Sequence, residues 1–452
     1  MCRKFQPFVL MTLFVMIMSG CGSQANGVQR TSDEGTGGKV TINMMHLWPE
    51  AGAAGQYRIV NKIVGEYEAD NPNVTIKMEV LENEQYKAKI KVLSTINELP
   101  DVGLTWAAGY LQPFVAAKLF TPLDDLLNGD LKDRFVAGTT EAYSVGGKTY
   151  ALPLEFNLAP IYYNKDIFAQ YGLQVPKSYG EFLDVVKALA AHGKVPIALG
   201  NKDRWTGSLW YMYMADRIAG TETLANAIKG DASFKKPSLV EAAKYIQDLV
   251  DMNAFNKGFN GISNDEVKAD FMSGKAAMYL MGTWELPNYT TNPKVPKSLR
   301  DSIGFFKFPT IPGGKGNIDS WVGGPGVGLF VAENSPVKDE AKKFVKYFVR
   351  RWGEESVTGI GVIPATKVDT SKVRLPQLYI DLLNELNKAT SITLFADVQM
   401  ASDAAEVHLN QIQALFGKET TPEQFAEAND AAVRAAKRKA GAFGDASTKP
   451  RA

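Results

Sequence analysis

Tryptophan recurs in this chain where apolar runs end. Trp48 follows "KVTINMMHL", Trp106 follows "PDVGLT", Trp205 follows "VPIALG" and "NKDR", Trp284 follows "AAMYLMG", and Trp321 stands just before "GGPGVG". Glu155, Asn157, Asp203, Arg204 and Glu285 lie beside or between these aromatics. Flat apolar faces interleaved with carboxylates, an amide and a guanidinium suit a sugar ring, whose axial C–H bonds stack on an aromatic plane while its hydroxyls need polar partners in the plane of the ring. Core packing is the alternative for any single tryptophan, because Trp is commonly part-buried. Trp210 and Trp352 fall on helix-like stretches and are read as core. The other five, grouped at strand ends, favour a ligand face.

Signatures of covalent, metal or nucleotide chemistry do not compete with this reading. "GGPGVG" at 323–328 fits G-x-G-x-x-G in no register, and "GKT" at 147–149 has Ala142 where a P-loop needs its first glycine. There is no G-x-S-x-G and no H-E-x-x-H. His46, His192 and His408 lie far apart, so no metal or cofactor is expected. Fifty basic and 49 acidic residues nearly cancel, which removes the electrostatic footprint that nucleic acid demands. Two rivals remain. Glu155, Asp203 and Glu285 could set a carboxylate pair across a cleft, as a surface glycoside hydrolase requires. A binder of a polyol or a uronic-acid sugar could use Arg204 against an anionic group.

The elements that must position these residues alternate. "KVTINMMHLW" reads as a strand, and Ile59, Val60, Ile63, Val64 and Tyr67 then share one helical face before "NPN" breaks the chain. "VTIKMEV" alternates apolar and polar residues as a half-buried strand does, and a helix is expected over 84–97. Further helices are expected over 179–191, 207–218, 239–252 and 265–272, and a helix burying Val337, Ala341, Phe344, Val345 and Phe348 follows the Gly-rich turn. Residues 276–281 form an unbroken apolar run bounded by Gly282, the pattern of a strand covered on both faces. Repeated strand–helix–strand units imply an α/β protein with mainly parallel sheets. With 452 residues and 45% hydrophobic content, more than one sizeable core is within reach.

The first residues read as an export signal over 1–20: Arg3 and Lys4, then "PFVLMTLFVMIM", then small residues leading to Cys21. Twelve apolar residues are too few to span a bilayer. "MSGC" resembles the bacterial lipobox, with Met18 where leucine is usual, so Cys21 is the expected site of lipidation, palmitate among the acyl groups, and the membrane is reached through that lipid. Residues 21–38 are rich in Gly, Ser and Thr and form a flexible tether, and 446–452 a disordered tail. Cys2 leaves with the signal, so no disulfide is expected in the body.

"PDVGLTW", "YALPLEFNLAPIYYNKDIFAQYGLQVPKSYGEF", "DFMSGKAAMYLMGTWEL" and "GGPGVGLFVAENSPVKDEAKKFVKYF", in this order, resemble the family 1 extracellular solute-binding proteins of ABC transporters, the group related to maltose-binding protein. The resemblance covers nearly the whole body. It implies the type II periplasmic-binding-protein fold, two α/β lobes joined by hinge crossovers, with an N-lobe over 39–153 and 310–352 and a C-lobe over 154–309 and 353–445. It implies an oligosaccharide between the lobes, a monomeric binder, and a permease as partner. By position it makes Trp284 a stacking platform and Glu285 a hydroxyl acceptor, and it lets Gly323 and Gly324 offer backbone N–H groups from the opposite wall, with Gly282 turning the backbone so that the indole faces the cleft.

Overall fold

The computed structural model describes residues 38–447. The expected signal, Cys21, nearly all of the tether and the end of the tail lie outside the described residues. No helix among the described residues is long and apolar enough to cross a membrane.

Two sheets carry the architecture. The first orders its strands Val74–Val80, Val40–His46, Val102–Trp106, Val327–Val331 and Leu152–Pro153. The second orders Ile303–Phe306, Ile161–Asn164, Ala276–Leu280 and Val195–Ala198. A third joins Phe156–Leu158 and Ser320–Pro325, which run between the other two sheets along the chain, to the late strand Ser391–Thr393. The expected parallel pairing holds for the three N-terminal strands of the first sheet and for Ala276–Leu280 with Val195–Ala198. The remaining pairs are antiparallel, so both sheets are mixed. The cause is the crossovers: Val327–Val331 and Ile303–Phe306 are late strands returning against early ones, and a returning chain need not follow the βαβ rule that keeps neighbours parallel.

Local pattern and structure agree where burial is one-sided. Helix Ala54–Asp70 buries Ile59, Val60, Ile63, Val64 and Tyr67, and Lys338–Glu355 buries Ala341, Phe344, Val345 and Phe348, each a stripe at helical spacing. Ala276–Leu280 is buried at every position, as a strand covered on both faces must be. Helix Pro422–Ser447 starts from Thr421, whose Oγ1 accepts from the Gln424 N–H while Gln424 Oε1 accepts from the Thr421 N–H, a reciprocal cap with proline at the first helical position.

Strand direction places the site. Val40–His46, Val74–Val80 and Val102–Trp106 are parallel, so their carboxyl ends deliver Leu47 and Trp48, Glu82 and Asn83, and Trp106 to one edge of the first sheet. Val195–Ala198 and Ala276–Leu280 are likewise parallel and deliver Trp205 and the turn Thr283–Glu285 from the second sheet.

Candidate ligand-binding site

The residues at those strand ends meet around one cavity of about 1130 Å³, its open mouth included. A cavity outside the carboxyl ends of strands is where open α/β sheets bind. Trp48, Trp106, Glu155, Asn157, Trp205, Trp284 and Glu285 all line it, together with Phe395.

The turn Thr283–Glu285 carries the central pair. Thr283 Oγ1 accepts from the Leu158 N–H at 3.2 Å and donates to Asn157 Oδ1 at 3.0 Å, which fixes the turn to the crossover strand Phe156–Leu158. The Trp284 indole meets Trp205 and Phe395 edge to face, each at 5.9 Å between centroids. Gln56 Nε2, on the first helix, donates to the Trp284 carbonyl at 3.1 Å. Gly282 is needed for a reason other than turning. Its backbone is extended, with φ −74°, but a Cβ there would lie 2.1 Å from the Trp284 ring, which folds back over it. Side-chain absence, not backbone freedom, seats the indole.

Charge at the site is mostly negative and mostly committed. Glu82, Glu155, Asp265, Glu285 and Asp397 line the cavity against Lys87 and Lys268. Glu285, with its side chain 4% exposed, takes Lys268 Nζ at 2.7 Å on one oxygen and Asn288 Nδ2 at 2.8 Å on the other. Lys268 also reaches Asp265 at 3.3 Å; burial pulls its ammonium down, but Glu285 and Asp265 outweigh burial and hold it above the usual lysine range. Lys87 Nζ lies 4.9 Å above the Trp106 ring and 3.2 Å from Glu84. Glu155 differs from the other carboxylates. Oε1 accepts from Asn157 Nδ2 at 3.3 Å, Oε2 has no protein partner, and burial pushes the carboxyl up to about 7.

Five residues expected at the site stand away from the cavity, each for a visible reason. Asp203 is one step behind it, accepting from the Asn264 N–H at 2.8 Å and so positioning the helix Asn264–Met272 that does reach the cavity. Arg204 points to the C-terminal helices, where Nη1 binds Glu406 Oε1 and Asn410 Oδ1, both at 2.6 Å. Trp321 is 1% exposed within Ser320–Pro325 and is a core residue. Gly323 and Gly324 pair with Leu158 and Asn157 in the crossover sheet, and a Cβ on Gly323 would fall 2.2 Å from the Asn157 carbonyl oxygen, so these glycines permit close strand approach rather than ligand contact. Gly326 does line the cavity, but its N–H is spent on the Glu155 carbonyl at 3.0 Å, and a Cβ there would crowd Asn157 Nδ2 and Glu155 Oε1.

Lys268, Asp265, Phe395, Asp397, Gln56 and Ser208 line the cavity without having been singled out in sequence. They come from helix starts, where the only sequence trace was the i,i+3 pairing of Asp265 with Lys268. Among the described residues no group of three or more His, Cys, Asp or Glu side chains could hold a metal ion.

Comparison with known proteins points the same way. The model of a family described as bacterial extracellular solute-binding protein matches residues 51–351. The multiple sugar-binding protein of Streptococcus mutans is 28% identical over 319 residues, covering 68% of this chain and 71% of its own. A solved structure from work on xylan utilization by the thermophilic bacterium Caldanaerobius polysaccharolyticus superposes with a TM-score of 0.82 at 34% identity, over 86% of this chain and 99% of the other. A chitin oligosaccharide binding protein gives a TM-score of 0.80 at 24% identity over 88% and 98%, a likeness of fold.

Proposed function

The chain belongs to the bacterial extracellular solute-binding proteins, and from that premise we propose that it captures a neutral oligosaccharide in the cavity and presents it to an ABC-transporter permease. The observation that carries the sugar reading is the aromatic lining: Trp48, Trp106, Trp205, Trp284 and Phe395 line a cavity whose wall also carries hydrogen-bonding side chains. Relatives support it, since the Streptococcus mutans protein is named for multiple sugars and the 34% identical structure comes from work on xylan, which makes a xylo-oligosaccharide the first ligand to try. The two lobes are taken as 39–153 with 310–352 and 154–309 with 353–445, with closure about the crossovers as the signal the permease reads.

Charge argues for a neutral ligand. Arg204 is engaged by Glu406 outside the cavity, and both lining lysines are already paired with carboxylates, so a uronic acid would find no free cation. Hydrolysis of the sugar is disfavoured on the same ground. A glycosidase needs two working carboxyl groups, and of the three candidates from the sequence Asp203 stands behind the cavity and Glu285 spends both oxygens on Lys268 and Asn288, which leaves Glu155 alone.

A thermal-shift panel of neutral and uronic-acid oligosaccharides tests this. Neutral members should raise the midpoint, by an amount equivalent to about 2.7 kcal/mol at 100 times the dissociation constant, with no release of reducing ends. Stabilisation by uronic sugars alone, or by no sugar, would overturn the reading.

Anchoring through a lipid on Cys21 is part of the proposal and is supported by the lipobox-like "MSGC" behind an apolar run. Fatty-acid label should enter the wild type and be absent from Cys21→Ala, which should be retained as precursor or shed into the medium. Equal labelling of both would refute it.

A further inference from the structure

Ser208 reaches the cavity on the same helix face as Trp205. Trp205, Ser208, Leu209 and Met212 all line it, and their i, i+3, i+4, i+7 spacing is one stripe of the helix Trp205–Ala219. His408 of helix Ser402–Phe416 is 0% exposed and does not line the cavity. Ser208 Oγ and His408 Nε2 are 2.8 Å apart, and His408 Nδ1 is 2.8 Å from Asn429 Oδ1 on helix Pro422–Ser447.

The direction of every proton in this row follows from its far end. Asn429 Nδ2 donates to the Phe425 carbonyl at 2.8 Å, which assigns the amide and turns Oδ1 to the histidine. An amide oxygen only accepts, so His408 Nδ1 carries a hydrogen. Burial, against the opposing pull of Asn429, pushes the imidazole down to about 4, so at neutral pH it is uncharged and Nε2 is bare. Ser208 must then be the donor to Nε2. Its oxygen keeps only lone pairs for any other partner.

We propose that Ser208 is a one-way hydrogen-bond acceptor in the cavity, its proton held on His408 by Asn429, so that it takes a donor hydroxyl of the sugar and rejects an analogue with an ether oxygen at that place. The inference rests on the sugar-binding reading for its ligand but not for its proton order. The row also has the sequence of nucleophile, base and orienter found in serine hydrolases. An imidazole that binds its proton only near pH 4 is too weak a base to activate a serine at neutral pH, so the row orients a hydroxyl and does not cleave.

Long-range proton–nitrogen NMR on the sugar-free full chain tests the order directly, because the chain has 3 histidines and His408→Gln identifies the signal. His408 should be the Nδ1–H tautomer at pH 7; the Nε2–H tautomer overturns the relay whatever the protein binds. Calorimetry with xylotriose then tests recognition. Ser208→Ala should weaken binding about ten-fold, the size of one neutral hydrogen bond lost in a closed site. Asn429→Leu, which frees the tautomer, should lose a similar factor with Ser208 still present, the double variant should lose no more, and Asn429→Asp, still an acceptor, should bind within about three-fold of wild type. Wild-type affinity in Ser208→Ala overturns the inference while leaving sugar binding intact. Silence of the wild type toward every panel sugar sinks the functional reading and the recognition step together, and the tautomer still decides the relay.

Discussion

Glu155 is the side chain at the cavity whose environment is most at odds with its charge. It is 5% exposed, one oxygen is unpartnered, and burial raises its carboxyl from the ordinary 4.5 to about 7. The linkage sign follows. Below pH 4.5 both folded and unfolded chains hold the proton; between 4.5 and 7 the unfolded chain releases it and the folded one keeps it, so stability falls as pH rises through this window. The loss amounts to about 3 kcal/mol by pH 8. Asp216, buried and likewise pushed to about 7, adds a loss of the same sign. Urea unfolding of the sugar-free protein at pH 5 and pH 8 should therefore show a drop that is about 3 kcal/mol smaller in Glu155→Gln. Equal drops would mean that Glu155 ionises like a solvent carboxylate.

At the scale of elements, what was legible in sequence is what strand geometry dictates. Trp48, Trp106, Trp205 and Trp284 could be placed at the cavity because parallel strands leave their carboxyl ends on one edge, where the chain that follows them lies. Trp321, Gly323 and Gly324 were misplaced because nothing local distinguishes a Gly-rich turn from a Gly-rich strand. Ser320–Pro325 is a strand only because Phe156–Leu158 and Ser391–Thr393, far away in sequence, pair with it. Phe395, Asp397 and Lys268 went unnoticed because they stand at helix starts whose position in space comes from packing, not from periodicity. Gly282 tests the element account. Its φ of −74° suits any residue, so Gly282→Ala should be harmless if turning were its role. With a Cβ 2.1 Å from the Trp284 ring, the substitution should instead displace the indole, costing about 1–3 kcal/mol of stability and weakening sugar binding. A variant that binds and melts like wild type would show that the indole does not rest on the glycine.

For the whole molecule, one cavity is lined by residues from both mixed sheets and from the crossover segment, so a ligand held there would touch all three. The first sheet brings Trp48, Glu82 and Trp106, the second brings Trp205, Trp284 and Glu285, and Glu155 and Asn157 stand on the crossover segment itself. A ligand that touches both walls favours the shut state over the open one. Small-angle scattering should accordingly give a smaller radius of gyration with saturating xylotriose than without it; identical profiles at proven saturation would exclude hinge closure.

The central claim is that the tryptophans lining the cavity bind sugar while those packed away from it hold the fold, and calorimetric titration of Trp284→Ala beside Trp210→Ala tests it most directly. Trp284 lines the cavity, whereas Trp210 is 0% exposed and packed edge to face against Phe255 and Phe308. Trp284→Ala should bind the panel's best neutral oligosaccharide one to two decades more weakly, about 1–3 kcal/mol by analogy with base stacking on aromatics, and should unfold near the wild-type midpoint. Trp210→Ala should lose roughly 3–5 kcal/mol of stability and bind with near-normal affinity in whatever stays folded. Wild-type affinity in Trp284→Ala, with the stability loss appearing there instead, would contradict the assignment of the cavity as the sugar site.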